Sequence, residues 1–227
     1  MKNVAQRIAA VRKNIISAEL KYDRGPGTVA LLAVSKSQDC GAIREAFACG
    51  QSAFGENYLQ EALEKMPGLA DLDLEWHFIG PVQANKTRPI ATHFAWVHTV
   101  DRDKIACRLN DARPPGVPPL NVCIQLNSSG ESSKSGIPAA GLEALARSIA
   151  ALPRLRLRGL MTLPAPGGDL ARQRAAFAGM NDHLQRLRAA GLAMDTLSMG
   201  TSTDMEAAIA EGATLVRVGT AIFGPRG

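Results

Sequence analysis

The 227-residue chain carries a formal charge of +5 at pH 7, and 46% of its residues are hydrophobic, which is enough for one large α/β domain or two small ones. Its basic residues are spread out without a dense run and only 4% of its residues are aromatic, so the composition gives no support to nucleic-acid binding. No apolar run approaches the about 20 residues that span a bilayer, so we expect no membrane partner.

The predicted elements begin with a helix, because Val4, Ile8, Val11 and Ile15 recur at helical spacing, as core-facing residues do. The scarcity of acidic residues before Glu19 faintly resembles a transit peptide, but the apolar spacing favours the structural helix. Eight apolar or β-branched runs then predict strands at residues 29–36, 52–56, 75–80, 96–100, 120–127, 157–163, 196–200 and 215–223. Amphipathic segments between most of them predict helices at residues 40–49, 57–65, 102–110, 139–151, 170–190 and 203–211, with a brief helix in 82–91.

Strands that alternate with helices favour parallel βαβ units, and eight of them in this length predict a single (β/α)8 TIM barrel. The alternative is a Rossmann-like open sheet, which leads one to expect a GxGxxG turn after the first strand, where this sequence reads VSKSQDCG. The stretch ARPPGVPPL at 112–120 is short enough to be a stiff loop, so we expect one domain over residues 1–227. The four cysteines form no CxxC pair and no metal-like spacing with the histidines, which predicts reduced thiols in a cytoplasmic protein and no metal site.

In a TIM barrel the carboxyl ends of the strands form the active face, so the residues where each apolar run ends are the candidates. Lys36 ends the first predicted strand, and an unpaired ammonium group beside a buried strand costs several kcal/mol. We therefore expect Lys36 to be paired or to serve a chemical purpose. Glu56 and Asn57 end the second predicted strand, and Ile79 ends the third.

The last two predicted strands end in SMGTSTD and VRVGTAIFG, and loops at these two positions commonly bind phosphate in this fold. Gly200 and Gly219 allow close backbone approach, while Ser202 and Thr220 offer hydroxyl groups. The alternative for Ser202 is helix capping, since the TDME run has the form of a capping box. Because Thr203 can serve as that cap, we expect Ser202 to be available to a phosphate.

Arg217 lies between valines in LVRVG, where a buried guanidinium needs a partner. A structural ion pair with Glu56 or Glu75 is one interpretation. The other combines Arg217 with the lysine and the two loops. A reactive lysine, a phosphate site and an arginine between them match pyridoxal phosphate (PLP), with its aldehyde on Lys36 and its ring nitrogen facing Arg217.

The chain also resembles a known family, through the motifs LLAVSK, FGENYLQEA, WHFIGPVQANK, ESSKSGI, RLRGLMTL and SMGTSTDMEAAIAEGATLVRVGTAIFG. They resemble those of the pyridoxal phosphate homeostasis proteins, relatives of the alanine racemase barrel that lack its C-terminal domain. The likeness extends over nearly the whole chain, with the motifs in the same order.

The resemblance implies that Lys36 holds PLP as a Schiff base (the internal aldimine), that Arg217 faces the pyridine nitrogen, and that Ser202, Gly219 and Thr220 hold the phosphate. The other residues implied in the PLP site are Asn57, Ile79, Met199 and Gly200.

Four further residues have less certain roles. Lys134 is implied at the mouth of the pocket, and Thr201 stands where the family usually has methionine, which affects the apolar packing under the cofactor. His77 is either a catalytic candidate or a core residue, and Tyr58 is either a catalytic candidate or a residue of a helix face.

Three functions fit such a lysine: a carrier that regulates free PLP, a small PLP-dependent amino-acid racemase, or a cofactor-free Schiff-base aldolase. An arginine beside the ring nitrogen weakens the cofactor as an electron sink, and barrel racemases take a second base, a tyrosine, from an additional β-domain. The only tyrosines here are Tyr22 and Tyr58. Loss of one positioned base costs about 10² to 10⁴ in rate, so we expect a PLP carrier and not an enzyme. We also expect the protein to be a monomer, with acceptor PLP enzymes as transient partners.

Overall fold

Eight parallel strands close into a barrel in the computed structural model, which describes residues 3–127, 135–165 and 167–225. Neighbours in sequence are neighbours in the barrel, and β8 pairs with β1 to close it. The strands are β1 Ala30–Val34, β2 Ala53–Glu56, β3 Glu75–Phe78, β4 Trp96–Val100, β5 Leu120–Gln125, β6 Leu155–Met161, β7 Thr196–Ser198 and β8 Leu215–Val218. Each predicted strand overlaps one of them, and the predicted TIM barrel is confirmed.

Helices surround the barrel and follow the strands in the expected alternation. They are α1 Val4–Lys21, α2 Cys40–Ala48, α3 Leu59–Lys65, α4 Thr87–His93, α5 Asp103–Ala112, α6 Leu142–Ala150, α7 Leu170–Phe177, α8 Met180–Ala189, α9 Met205–Ala210 and α10 Thr220–Phe223. The predicted N-terminal helix is confirmed: Ile8, Val11 and Ile15 of α1 are buried, and the Asn3 side chain caps its first turn. Within the described ranges, no helix is both long enough and apolar enough to cross a membrane.

Two predicted elements differ from the structure. The single helix predicted at 170–190 is wrong, because the chain breaks into α7 and α8 at Gly179, whose φ of 83° is left-handed and ends a helical path. The strand predicted at 215–223 ends at Val218, and Thr220–Phe223 turns into the short helix α10. That early end places backbone and hydroxyl groups of α10 at the mouth of the barrel.

The barrel interior is unusually polar at one level. Branched apolar side chains usually fill a TIM barrel, but here His77, His98, Ser198 and Arg217 are buried together and joined by hydrogen bonds. The main apolar core lies between sheet and helices, and a small separate cluster forms inside the barrel from Trp96, Cys123 and Met161.

Candidate functional site

A cavity of about 250 Å³ opens at the carboxyl ends of the strands. Most of the residues predicted for the PLP site line it: Lys36, Asn57, Ile79, Ser202, Arg217, Gly219 and Thr220. The structure thus brings together residues that lie up to 184 positions apart, from Lys36 to Thr220. Met199 and Gly200 are not among the lining residues; the Met199 side chain is fully buried in the core.

Lys36 reaches the cavity because of the alternation of side chains along β1. Val34 and Lys36 both line the cavity, whereas Ser35 between them faces the helix layer and is fully buried. Lys36 itself lies two residues beyond the end of β1 and is half-buried. An ammonium group at this strand tip therefore sits in the cavity mouth, not in the dry core.

A buried charged network lies behind Lys36 and fixes the residues on each side of it. The Lys65 Nζ donates to Glu56 Oε1 at 2.9 Å and to the Ser35 carbonyl at 2.8 Å, and the Ser35 hydroxyl donates to the same Glu56 oxygen at 2.7 Å. On the other side, the Ser37 N–H donates to Glu61, which also accepts from Lys65. Ser37 has a left-handed φ of 62°, which is unfavourable for a residue other than glycine. The hydrogen bond from the Ser37 N–H to Glu61 helps to hold this turn in place.

Glu56 loses contact with water in this network, which disfavours its charged form. Its side chain is fully buried, and burial raises its pKa, opposed by hydrogen bonds from Ser35 and Lys65. Its second oxygen, Oε2, has no hydrogen-bond partner among the described residues. Glu56 therefore forms its ion pair with Lys65, and the alternative ion pair between Glu56 and Arg217 does not form.

Arg217 extends from β8 into the floor of the cavity. Its Nη1 donates to the Ser198 carbonyl at 2.6 Å and to the Ser198 hydroxyl at 2.8 Å, and its Nη2 donates to the Thr162 carbonyl at 2.9 Å. Burial lowers the pKa of Arg217 to about 10, with the Asp204 carboxylate opposing that shift, so the group stays cationic at neutral pH. No salt bridge joins Arg217 to a carboxylate in the described part of the chain, so the alternative pair with Glu75 is also wrong.

The loops after β7 and β8 meet at Ser202. Its Oγ accepts a hydrogen bond from the Ala221 N–H at 3.3 Å, which links the β7 loop to the start of α10. The capping box predicted from TDME is wrong: Asp204 is the N-cap of α9, and neither it nor Thr203 makes a side-chain cap bond. Asp204 instead accepts from the Thr201 N–H and hydroxyl at 2.5 and 2.7 Å, which folds the loop back toward the cavity.

Gly200 shapes this loop although it does not line the cavity. Its φ is 95°, and a Cβ there would lie 2.6 Å from the Ala208 Cβ of α9. Only glycine fits such a close approach with a left-handed backbone. Gly200 therefore acts by placing the loop that carries Thr201 and Ser202.

Asn57 offers the cavity an unpartnered acceptor. Its Oδ1 is buried and has no hydrogen-bond partner among the described residues. A buried amide oxygen without a partner costs about 1 to 3 kcal/mol. A ligand that donates a hydrogen bond to Asn57 Oδ1 would remove this cost. Gly80 packs so closely on the Asn57 carbonyl that a Cβ would lie 2.0 Å from it, which holds Asn57 in place.

The apolar part of the cavity includes residues that sequence reasoning missed. The lining residues not predicted from sequence are Val34, Gln38, Met161, Leu163, Thr203, Phe223 and Gly224. Met161 and Leu163 lie at and just after the end of β6. The rule that strand ends form the active face would have found them, but their apolar character drew no attention.

Of the residues with less certain roles, Thr201 lines the cavity, whereas His77 and Tyr58 do not. His77 is buried in the barrel interior, bonded to Glu75 and His98, which favours the core interpretation. Tyr58 is 62% exposed at the start of α3. Lys134 lies outside the described residues, so its predicted place at the pocket mouth stays a prediction.

The donor set of the cavity fits PLP. A primary amine suits the aldehyde, hydroxyl and backbone N–H groups suit a phosphate, and the cationic Arg217 retains N–H groups beyond the three it uses within the protein. Val34, Ile79 and Met161 supply apolar walls for a flat ring. The Asn57 oxygen, which has no hydrogen-bond partner among the described residues, is compatible with a ligand that donates a hydrogen bond. No group of three or more potential metal ligands occurs in the described ranges.

The sequence of the chain is similar to those of known proteins. The family described as "Alanine racemase, N-terminal domain" matches residues 7–227. The pyridoxal phosphate homeostasis protein of Pseudomonas aeruginosa is 58% identical over 226 residues, which cover 100% of this chain and 97% of that protein. The corresponding protein of Escherichia coli K12 is 51% identical over 236 residues, covering 100% and 98%.

A protein of similar fold has a solved structure with PLP bound. PipY of Synechococcus elongatus PCC7942 shares 38% identity, with TM-scores of 0.87 without PLP and 0.85 with PLP bound; in both, the match covers 98% of this chain and 100% of PipY. Family, curated relatives and fold agree over the whole length. The chain therefore belongs to the alanine racemase N-terminal domain family and, within it, to the pyridoxal phosphate homeostasis proteins.

Proposed function

We propose that this protein binds PLP through Lys36 and carries and regulates the free PLP of the cell. The observation that supports this most strongly is the convergence of Lys36, Arg217 and the two hydroxyl-bearing loops on one cavity. The same cavity contains the Asn57 oxygen, which has no partner in the described part of the chain. The PLP-bound structure of PipY and the names of the curated relatives support it independently.

PLP supplies an aldehyde that condenses with a primary amine, and a phosphate that anchors it. Lys36 is the amine, placed at the cavity mouth by the tethered turn around it. Ser202, Thr220 and the backbone at Gly219 bind the phosphate, because all three line the cavity beside the start of α10. Arg217 donates hydrogen bonds to the ring edge and, remaining cationic, does not protonate the ring nitrogen.

A racemase is the weaker alternative because, among the described residues, the cavity lining contains no tyrosine or histidine that could act as a second base. The two tyrosines of the sequence do not line the cavity: Tyr58 is 62% exposed, and the Tyr22 hydroxyl donates to Glu206. His77 lies in the barrel interior. We therefore propose that the protein has no significant amino-acid turnover of its own.

Among the described residues the mouth of the cavity is open, which suits exchange of PLP with other proteins. Leu163 on its rim is 57% exposed, so an apolar contact surface is available at the entrance. We propose that acceptor PLP enzymes are transient partners there, and that the protein acts as a monomer in the cytoplasm, where its free thiols stay reduced.

A delivery assay tests this function. PLP-loaded protein, freed of unbound PLP, is mixed with a PLP-free aminotransferase, and recovery of the aminotransferase activity is followed. We expect activation by the wild-type protein, little activation by a Lys36→Ala protein treated identically, and no racemisation or keto-acid formation from a panel of amino acids without the acceptor. Amino-acid turnover of about 1 s⁻¹ or faster that depends on Lys36 would overturn the carrier function in favour of an enzyme.

A further inference from the structure

A chain of hydrogen bonds crosses the barrel interior from Arg217 to the opposite end of the barrel. The Ser198 hydroxyl, which accepts from Arg217 at 2.8 Å, lies 2.8 Å from His98 Nδ1. His98 Nε2 lies 2.9 Å from His77 Nδ1, and His77 Nε2 lies 2.9 Å from Glu75 Oε1. The chain passes from β8 through β7 and β4 to β3, so it joins strands on both sides of the barrel.

If both imidazole rings are neutral, the two ends of the chain determine which atom of each pair carries the proton. A guanidinium can only donate and a carboxylate can only accept, so Arg217 donates to Ser198 and Glu75 accepts from His77 Nε2–H. A neutral His77 then accepts at Nδ1 from His98 Nε2–H. His98 in turn accepts at Nδ1 from the Ser198 hydroxyl. Each imidazole nitrogen and the Ser198 hydroxyl oxygen has a partner in this arrangement of neutral rings.

The surroundings support neutral histidines. Burial lowers the pKa of His77, and burial together with the positive charge of Arg217 lowers that of His98 well below its usual value. Trp96 stacks on His77 with ring centroids 5.2 Å apart and planes 7° apart. The apolar face of the indole therefore covers the His77 ring near the Glu75 end of the hydrogen-bond chain. Arg158 lies 4.6 Å above Trp96 and pairs with Asp195, so solvent meets a charged cap there.

We propose that Ser198, His98 and His77 are positioning residues that fix the Arg217 guanidinium at the floor of the PLP cavity, with Glu75 as the anchor at the other end of the barrel. The proposal rests on the proposed function, since Arg217 is placed for a PLP ring. A simple apolar filling of this level of the barrel would support the fold equally well. The polar chain, fully satisfied and ending on a cavity residue, is instead what orientation of one donor requires.

The first test uses the PLP-free protein and ¹⁵N NMR of its imidazole rings. We expect His77 and His98 both to be neutral with the proton on Nε2. Glu75→Gln changes only a half-exposed end of the chain, 49% exposed in its side chain, and we expect it to shift the resonances of both histidines. An Nδ1–H form of His98 in the wild type, or a Glu75→Gln protein in which His98 is unchanged, would overturn the chain.

The second test measures ligand specificity. Ser198→Ala removes the hydroxyl that links Arg217 to His98, and Thr196→Val is the matched control, since Thr196 is buried on the same strand but bonds to Asp195. We expect Ser198→Ala to weaken PLP binding about tenfold, but to weaken binding of an analogue with CH in place of the ring nitrogen less than about twofold. We expect the control to change neither.

Equal losses for both ligands, or no loss for either, would contradict a positioning role. Wild-type binding of PLP on Lys36 is measured first. A failure of the proposed function therefore appears in the wild-type protein, and a failure of this inference appears only in the variants.

Discussion

Lys65→Met tests the buried network behind Lys36. Lys65 Nζ lies 2.9 Å from Glu56 Oε1, and the two side chains are 10% and 0% exposed, so this is a buried pair, unlike the surface pairs of the molecule. Removal of one partner of a buried pair costs about 3 to 5 kcal/mol, because the other charge is left uncompensated. The Ser35 hydroxyl still donates to Glu56 in the variant, so we expect a loss near the lower end, about 3 kcal/mol.

The assay is urea unfolding of the PLP-free protein at neutral pH, followed by circular dichroism, with the free energy of unfolding taken from linear extrapolation. Glu56→Gln in the Lys65→Met background removes the stranded charge, so we expect the double variant to lose less than the sum of the two single losses. Lys21→Met is the control for an exposed pair, because Lys21 and Glu206 are 58% and 47% exposed, and it should leave stability nearly unchanged.

The pH dependence of Lys65→Met has a definite sign. A carboxyl whose folded pKa is raised binds its proton more tightly in the folded state, so stability rises as pH falls through the folded pKa toward the unfolded one. Burial already raises the pKa of Glu56, and loss of the lysine raises it further. We therefore expect the deficit of the variant to shrink between neutral pH and about pH 5. A loss below about 1 kcal/mol, or a deficit that grows on acidification, would refute the reasoning.

Three further predictions concern the site and the core. Ser202→Ala should weaken PLP retention by about 1 to 3 kcal/mol, measured as a dissociation constant, because it removes one hydrogen bond to a charged group; unchanged retention would leave Ser202 with only its link to Ala221. Gly200→Ala should lower the free energy of unfolding by about 1 to 3 kcal/mol, since the new Cβ meets Ala208 at 2.6 Å; wild-type stability would show that the loop relaxes freely. Cys123 should resist a thiol reagent in the native protein and react after unfolding, because burial raises its pKa to about 12; rapid native labelling of Cys123 would contradict its burial.

The fold could be predicted because its signals are local. Apolar runs separated by amphipathic segments predict the βα alternation, and the period of two along β1 aligns Val34 with Lys36 on the cavity side. The strand-end rule then identifies Lys36, Ser202 and Arg217, since these residue types are unusual beside buried strands. The break at Gly179 was missed because a glycine inside an amphipathic pattern is compatible with one continuous helix as well as two.

The network partners could not be predicted because they depend on contacts between distant elements. His98 and Ser198 are 100 positions apart and meet only when β4 and β7 face each other across the barrel. Lys65 reads as an ordinary lysine at the end of an amphipathic helix, and nothing in its local sequence indicates a buried partner in β2. Met199 follows Ser198, which points into the barrel, so the alternation along the chain turns the Met199 side chain into the core.

The central claim, that Lys36 is the residue that binds PLP covalently, is tested most directly by borohydride reduction of the PLP-loaded protein and peptide mass spectrometry. Reduction converts the Schiff base to a stable secondary amine, so the adduct marks the lysine that carried it. We predict a phosphopyridoxyl adduct on the peptide that contains Lys36, and its absence from that peptide in Lys36→Ala. An adduct found only on another lysine, such as Lys134, or no adduct at all, would contradict the account.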